Sequence, residues 1–451
     1  MGEQEIIRRL EEAGHKKIRF AVCDIDGILR AKTLMIEKFA EISGHHTGFC
    51  DVVFGWDSGD RLYDNVEITG WHTGYPDKKA IIDLGTMRNV PWDNNIPYFL
   101  GDFSSEDGTV AACPRSLLKS IRQQCSDMGF KAVFAQEFEW FNFIGTPNSI
   151  TSSKFTKLQP LSPGMFGYSQ LRPSLNTGYF NELFDLLLQF DIPLESLHTE
   201  TGPGVYEAAI RHDEVLSAAD KATLFKTAVK EIAYRHGIVA TFMAKWNEQL
   251  PGCSGHLHQS LWTSDQSKNL FYPGAPNKPM NKLAESYLAG LLHCLPEVMP
   301  MYAPTINSYK RLRDGAWAPT TATWGYENRT TAVRTLNGDE KSTRLEMRVP
   351  GSDTNPYLAM AASLASGLYG IKHGLKLNTP ATIGNAYTDP TALKLPGNLL
   401  EATQRMANSP VANELFGHDF THHFTQTRIW EWREFAKAVT DWELERYFEI
   451  I

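Results

Sequence analysis

Apolar and polar positions alternate along the chain in blocks of different period, and the blocks predict its elements. Residues 3–13 carry apolar side chains at helical spacing and predict an amphipathic helix. The run 18–23 is apolar and strand-like, and Asp26-Gly27 after it is a hairpin signal. Short strands continue, with turn residues at 57–60 and at Asp83-Leu84-Gly85, so 1–112 reads as a small β-rich domain with helices. Pro114 suits the first turn of a helix from about 115 to 128, and a second domain, 113–451, begins just before it. There KAVFAQEFEWFNF (131–143) has strand composition, 145–178 is a long loop rich in Pro, Ser, Gly and Asn, and 177–190 and 217–236 are helical. The segments 198–210, 238–246, 254–262 and 343–351 read as strands, and 354–371 as a helix. Strands with interspersed helices predict an α+β fold.

Composition narrows the function. The chain has 451 residues, 42% of them hydrophobic and 21% charged, which is ordinary for a globular protein and leaves room for about three domains or one large and one small. A formal charge of −8 argues against a general nucleic-acid binder. Six scattered cysteines without a C-x-x-C pair read as free thiols in a reducing compartment. The N-terminus lacks the apolar core of a signal peptide, and Ile6 stands where a myristoylation motif needs Ser or Thr. The uncharged stretch 354–371, rich in Ala, Ser and Gly, is expected to be a buried helix rather than a membrane span. A cytoplasmic protein without membrane partners is expected.

Four clusters carry candidate chemistry. Glu137 and Glu139 stand at i and i+2 of a strand, so both carboxylates share a face among Phe134, Phe138 and Phe141. Two such charges repel unless a cation or base lies between them; a solvated strand face is the simpler reading of the pair alone. Glu200 and Glu207 flank a Gly202-Pro203-Gly204 bend that could return both to one place, or could be a surface turn. His256 and His258 share a strand face, as metal ligands or as packed core histidines. Glu346 and Arg348 follow Arg344, with Lys310, Arg311, Arg313, Arg329 and Arg334 upstream; guanidinium forks suit carboxylates and phosphates. No third His or Cys stands at zinc-like spacing, so a bound metal would have mostly carboxylate ligands, which favours Mg²⁺ or Mn²⁺. Together the clusters fit phosphoryl transfer with a divalent metal. No P-loop or kinase glycine loop is present.

The strings AQEFEWF, HTETGPGVYE, ATFMAKW, SGHLHQSL, NSYKRL, NRTTAVRT and RLEMRVPGSDTNPYLAMAA, in this order, resemble the glutamine synthetase superfamily over nearly the whole chain. The resemblance implies a small N-terminal β-grasp domain, a large catalytic α+β domain, and a homo-oligomer, usually a dodecamer of two hexameric rings with active sites at subunit junctions. It implies that Glu139, Glu200 and Glu207 hold one metal ion and Glu137, His256 and Glu346 a second, with two or three Mg²⁺ or Mn²⁺ per site. Arg311 and Arg348 correspond to arginines that hold glutamate. Arg329 and Arg334 correspond to those on the nucleotide phosphates, and His258 and Ser260 to ATP-site positions. The implied reaction uses ATP as co-substrate to convert glutamate to γ-glutamyl phosphate, which an amine then captures as an amide.

Two departures bear on the amine. Glutamine synthetases carry a flap glutamate where Trp317 stands here, and an acid that attracts ammonium has given way to a large aromatic. A glutamine synthetase usually has Asn-Gly where Pro251-Gly252 stands, against glutamate. Both changes resemble the γ-glutamylamine ligases and imply a small organic primary amine; a true glutamine synthetase using ammonia is the alternative. Asp57 corresponds to an aspartate that reaches a neighbouring subunit's amine site as base or cation anchor, and Tyr168 is expected in the same pocket.

Overall fold

The computed structural model describes residues 3–42, 47–103 and 109–451, so Gly2, where the myristoylation motif would begin, lies outside the described residues. Two sheets organise the chain. The first contains β1 (Lys17–Cys23), β2 (Leu29–Met35), β3 (Thr47–Cys50), β4 (Asp77–Val90) and β5 (Ile96–Phe103) in the order β2-β1-β5-β4-β3. Its central β1/β5 pair is parallel and the others antiparallel, the mixed arrangement expected of a β-grasp. The Asp26-Gly27 signal falls in the turn between β1 and β2, where Asp24 Oδ1 accepts the N–H groups of Asp26 and Ile28 at 3.0 and 2.8 Å. Phe20, Phe39, Phe99 and Phe103 fill the core of this unit.

The second sheet has nine strands: β6 (Phe130–Ile144), β7 (Leu194–Thr199), β8 (Val205–Ile210), β9 (Asp213–Glu214), β10 (Ile238–Thr241), β11 (Leu257–Thr263), β12 (Trp324–Tyr326), β13 (Val333–Leu336) and β14 (Arg344–Met347). The path is β12-β13-β14-β11-β6-β8-β7, with β9 and β10 also pairing to β6. β6 is therefore the hub. Its Phe138 and Trp140 turn away from Glu137 and Glu139 and pack on Phe225 of the Val215–Arg235 helix, Phe138 stacked at 5.6 Å. This corrects the expectation that Phe134 and Phe138 surround the paired acids: strand alternation puts both on the opposite face, in the same core as Trp140.

The 354–371 reading becomes the Pro356–Lys372 helix, with Asn355 capping Tyr357 N–H at 3.1 Å and Pro356 in the first turn. It packs closely on the Lys282–Tyr302 helix, because Gly290 faces Ser366 and Gly370; a Cβ on Gly290 would lie 2.2 Å from Ser366 O. The 238–246 strand is shorter than expected: β10 stops at Thr241, and a loop runs from there toward β11. The 145–178 stretch is mostly loop, with a short Pro147–Ser152 helix.

Buried charges join the two sheets. Arg115, on the Pro114–Asp127 helix, bonds Asp102 of β5 at 2.7 Å, Asp220 of the Val215–Arg235 helix at 2.9 Å and Asp83 at 2.8 Å. Tyr357 Oη donates to Asp220 at 2.7 Å. No helix among the described residues is long and apolar enough to cross a membrane.

Candidate active site

Strand register assembles the site in two rows of facing residues. In one row Arg334 of β13 stands opposite Glu346 of β14, and Glu346 opposite His258 of β11. In the other, Glu139 of β6 stands opposite Glu207 of β8, and Glu207 opposite His198 of β7. Glu137 lies between the rows on β6, and its N–H donates to His256 O at 3.1 Å. Each residue enters through the period-two alternation of its strand. The result is a cavity of about 340 Å³ lined by acids, arginines and one histidine, with Tyr168 and Trp317 among its walls.

Two side-chain trios are close enough to grip a cation. Ligand atoms of Glu137, His256 and Glu346 lie within 4.8 Å of one another, as do those of His198, Glu200 and Glu207. The first trio matches the set carried over from the resemblance. The second has His198 where the resemblance implies Glu139. Glu139 lines the same cavity, but its Oε2 accepts Ser254 N–H at 2.7 Å. The physical reason is local: Glu139 and Glu207 face each other as like charges, and each turns to a separate partner, Glu139 accepting Ser254 N–H and Glu207 lying at ion-pair distance, 3.5 Å, from His198 Nε2. The Gly202-Pro203-Gly204 bend brings Glu200 and Glu207 together, with Glu200 N–H donating to Val205 O at 3.1 Å.

The electrostatics are those of a cluster of acids awaiting positive charge. Burial opposes ionisation of Glu137, yet the imidazoles of His258 and His256 hold its carboxyl well below the usual range. Burial raises Glu139 and Glu207. Burial also works against charging His198, but Glu200 and Glu207 raise it to about 9. His256 Nδ1 lies 2.7 Å from Glu137 Oε1, while its Nε2 is buried with no hydrogen-bond partner; His198 Nε2 and Glu200 Oε2 also lack a hydrogen bond and stand 3.7 Å apart as a loose ion pair. Buried polar atoms left unpaired are costly, and these belong to the two trios. A carboxylate-rich set with one imidazole in each trio fits hard divalent cations such as Mg²⁺ or Mn²⁺.

Arginines close the other side. Glu346 sits between Arg334, at 3.0 Å, and Arg348. Arg348 Nε donates to Arg329 O at 3.2 Å. Arg311 is buried and anchored to Val349 O at 2.9 Å. Beside it, Gly252 leaves no room for a side chain: a Cβ there would be 2.6 Å from Ala244 O and 2.8 Å from Arg311 Cγ. Trp317 and Tyr168 stand on loops at φ of +56° and +54°, and both are about two-thirds exposed. Tyr168 N–H donates to Thr199 O at 2.7 Å, and its ring stacks on His198 at 4.5 Å.

Three expected residues stand apart from the cavity lining. His258 backs it, with Nε2 3.3 Å from Glu137 and Nδ1 accepting from Arg344 Nε at 3.0 Å. Ser260 lies further along the same face of β11 and accepts Trp262 Nε1–H at 2.9 Å. Asp57 sits in a turn of the N-terminal unit, where its Oδ1 accepts the N–H groups of Gly59 and Arg61, both at 2.8 Å. His198 was missed from sequence, although the signal was present: it stands at i−2 from Glu200, on the same strand face.

Residues 111–447 match the family model described as "Glutamine synthetase, catalytic domain", and the chain belongs to the glutamine synthetase family of ATP-dependent ligases. Among its relatives, "Type-1 glutamine synthetase 2" of Dictyostelium discoideum is 49% identical over all of this chain and 87% of its own. "Glutamate--isopropylamine ligase" of a Pseudomonas species is 37% identical over 98% of this chain and 97% of its own. A solved structure, "GmaS/ADP complex-Conformation 1", superposes with a TM-score of 0.84 at 25% identity, covering 98% of this chain and 99% of the other.

Proposed function

We propose that the enzyme joins the γ-carboxylate of glutamate to an organic primary amine at the expense of ATP. The supporting observation is a single cavity that gathers Glu137, Glu139, Glu200, Glu207, His256 and Glu346 with four arginines, while Trp317 occupies its wall. The relative named for isopropylamine and the ADP complex agree with this reading. The relative named glutamine synthetase favours ammonia as the alternative amine.

Arg311 and Arg348 orient glutamate, and Arg329 and Arg334 take the nucleotide phosphates as bidentate partners. Glu139, Glu200 and Glu207, with His198, would hold one divalent cation, and Glu137, His256 and Glu346 a second, two or three Mg²⁺ or Mn²⁺ ions per site in all. When bound, these ions screen the negative charge that otherwise keeps a carboxylate and a polyphosphate apart. A γ-carboxylate oxygen of glutamate attacks the γ-phosphorus of ATP, and ADP leaves. The amine nitrogen then attacks the acyl carbon of γ-glutamyl phosphate, inorganic phosphate departs, and the nitrogen loses a proton. Arg329 stabilises charge on the transferring phosphoryl group. Asp57, reaching in from a neighbouring subunit, anchors the amine and accepts its proton. Trp317 and Tyr168 enclose the amine's substituent, and Gly252 lets Arg311 approach. His258 and Ser260 lie on the nucleotide side.

In this reading residues 1–112 form the β-grasp domain and 113–451 the catalytic domain of a cytoplasmic dodecamer of two hexameric rings. The test is ADP release across a panel of amines. An organic amine should exceed ammonia in kcat/KM by a large factor; equal or better use of ammonia refutes the proposal.

A further inference from the structure

A second cavity, of about 210 Å³, lies where the small sheet meets the Val215–Arg235 helix, and it shares no lining residue with the active-site cavity. Trp92, Tyr98, Phe190 and Leu224 give it apolar walls, and Arg19 and Glu231 put one charge of each sign into it. Arg19 is ion-paired with Asp93, yet both charged groups keep unused hydrogen-bonding atoms. Arg19 is tied to Asp93 through Nη2 alone, at 2.5 Å, and its Nε and Nη1 have no hydrogen-bond partner among the described residues. Glu231 accepts Trp92 Nε1–H on Oε2 at 2.6 Å, and its Oε1 has no partner among the described residues. Both charged groups line the same cavity as the buried Tyr98 ring, and burial raises the Tyr98 phenol while Arg19 lowers it and Glu231 raises it. Arg88 adds positive charge behind the wall, 5.7 Å from the Phe190 ring, with Nη1 buried and unpaired.

We infer that this cavity is a binding site for a free α-amino acid, held by its carboxylate on Arg19, by its ammonium on Glu231 and by its side chain against Trp92 and Phe190. The choice follows from the charges. A simple amine would satisfy Glu231 but meet a guanidinium; a plain carboxylate would satisfy Arg19 but meet Glu231. A small zwitterion pairs with both, and charge-assisted bonds of this kind are the strong ones. The volume suits one small amino acid beside aromatic walls. The site goes beyond the proposed ligase chemistry and stands or falls separately, because its test reads binding.

The experiment is calorimetric titration of the full-length protein with alanine, valine and glutamine, each beside its deaminated and decarboxylated counterparts, at up to about 10 mM, tenfold above a weak dissociation constant of ~1 mM. At least one amino acid should bind while both counterparts bind at least about tenfold more weakly, as expected when one charge-assisted contact is lost. Glu231→Gln and Arg19→Met should each weaken that binding about tenfold or more and leave kcat/KM for glutamate unchanged. An amino acid held in the catalytic cavity would ignore both substitutions, and that result overturns the inference. So does binding by none of the three amino acids, or binding that tightens in Glu231→Gln, which would mark a ligand recognised by its carboxylates alone.

Discussion

Replacing Trp317 by Ala tests the amine pocket most directly. The side chain is 67% exposed on the cavity wall. A Trp offers up to ~250 Å², so ~170 Å² is free to receive a substrate. A three-carbon substituent can cover roughly 60 Å² of that, and at ~25 cal/mol per Å² the contact contributes about 1.5 kcal/mol. This is about tenfold in kcat/KM. Ammonia has no apolar surface to place there and should lose almost nothing by this route. Cation–π attraction to the ring, ~0.5–1 kcal/mol at an exposed position, is common to all the ammonium ions and cancels in the ratio. The backbone also cancels. Trp317 sits at φ +56°, and Ala, which keeps a Cβ, keeps the same strain. ADP release, measured with saturating glutamate and ATP, gives kcat/KM for a series of alkylamines and for ammonia. The alkylamines should fall about tenfold relative to ammonia, and Trp317→Glu should move the ranking further toward small charged amines. Loss by one common factor across all amines, ammonia included, would refute the apolar-pocket argument.

Other outcomes follow from the same geometry. Chelation should lower the melting temperature and Mn²⁺ should restore it, with a gain of ~2.7 kcal/mol at a hundredfold excess over Kd; the gain should shrink in His256→Ala, and melting curves indifferent to metal would count against the two trios. Gly252→Ala pushes a Cβ to 2.6 Å from Ala244 O and onto Arg311, so KM for glutamate should rise at least about tenfold, and an unchanged KM would show that Arg311 does not hold glutamate. Arg115→Met removes the guanidinium shared by Asp83, Asp102 and Asp220, leaving Asp102 with Lys119 and Asp220 with Tyr357, and should cost about 3 kcal/mol in denaturant unfolding; a cost below ~1 kcal/mol would mean the network is already solvated. His423 is buried, and burial lowers it from 6.5 to about 4 against a smaller opposing pull from the Phe54 backbone. The folded state thus resists a proton that the unfolded state accepts. Stability is unaffected above pH 6.5 and falls as pH drops from 6.5 to 4, by ~3 kcal/mol in all. His423→Leu should flatten that part of the pH–stability curve, and an unchanged slope would refute the assignment.

How much of this was legible in the chain depends on whether the cause was local. Alternation on β6 is local, and it announced Glu137 and Glu139 as a pair because each intervening side chain, Phe138 included, belongs to the helix-packed face. The Lys282–Tyr302 helix was not legible: Pro296 and Pro300 lie inside it and break the pattern that marks a helix interior. Tertiary packing overrides that signal, since both prolines are buried. His198 marks the next limit. Its spacing from Glu200 was visible, but its place opposite Glu207 depends on the register across the β7–β8 bend, which no single segment encodes. Tyr168 and Trp317 lie beyond even that. Each stands on a loop in the left-handed region, where there is no period to read and where an aromatic residue pays backbone strain to be. Only comparison with the family's motifs pointed to them. In the function proposed above, the acids that repeat with strand period carry the phosphoryl-transfer chemistry, and the two strained aromatics enclose the amine. Amine selectivity is thereby placed in the part of the chain that follows no periodic rule.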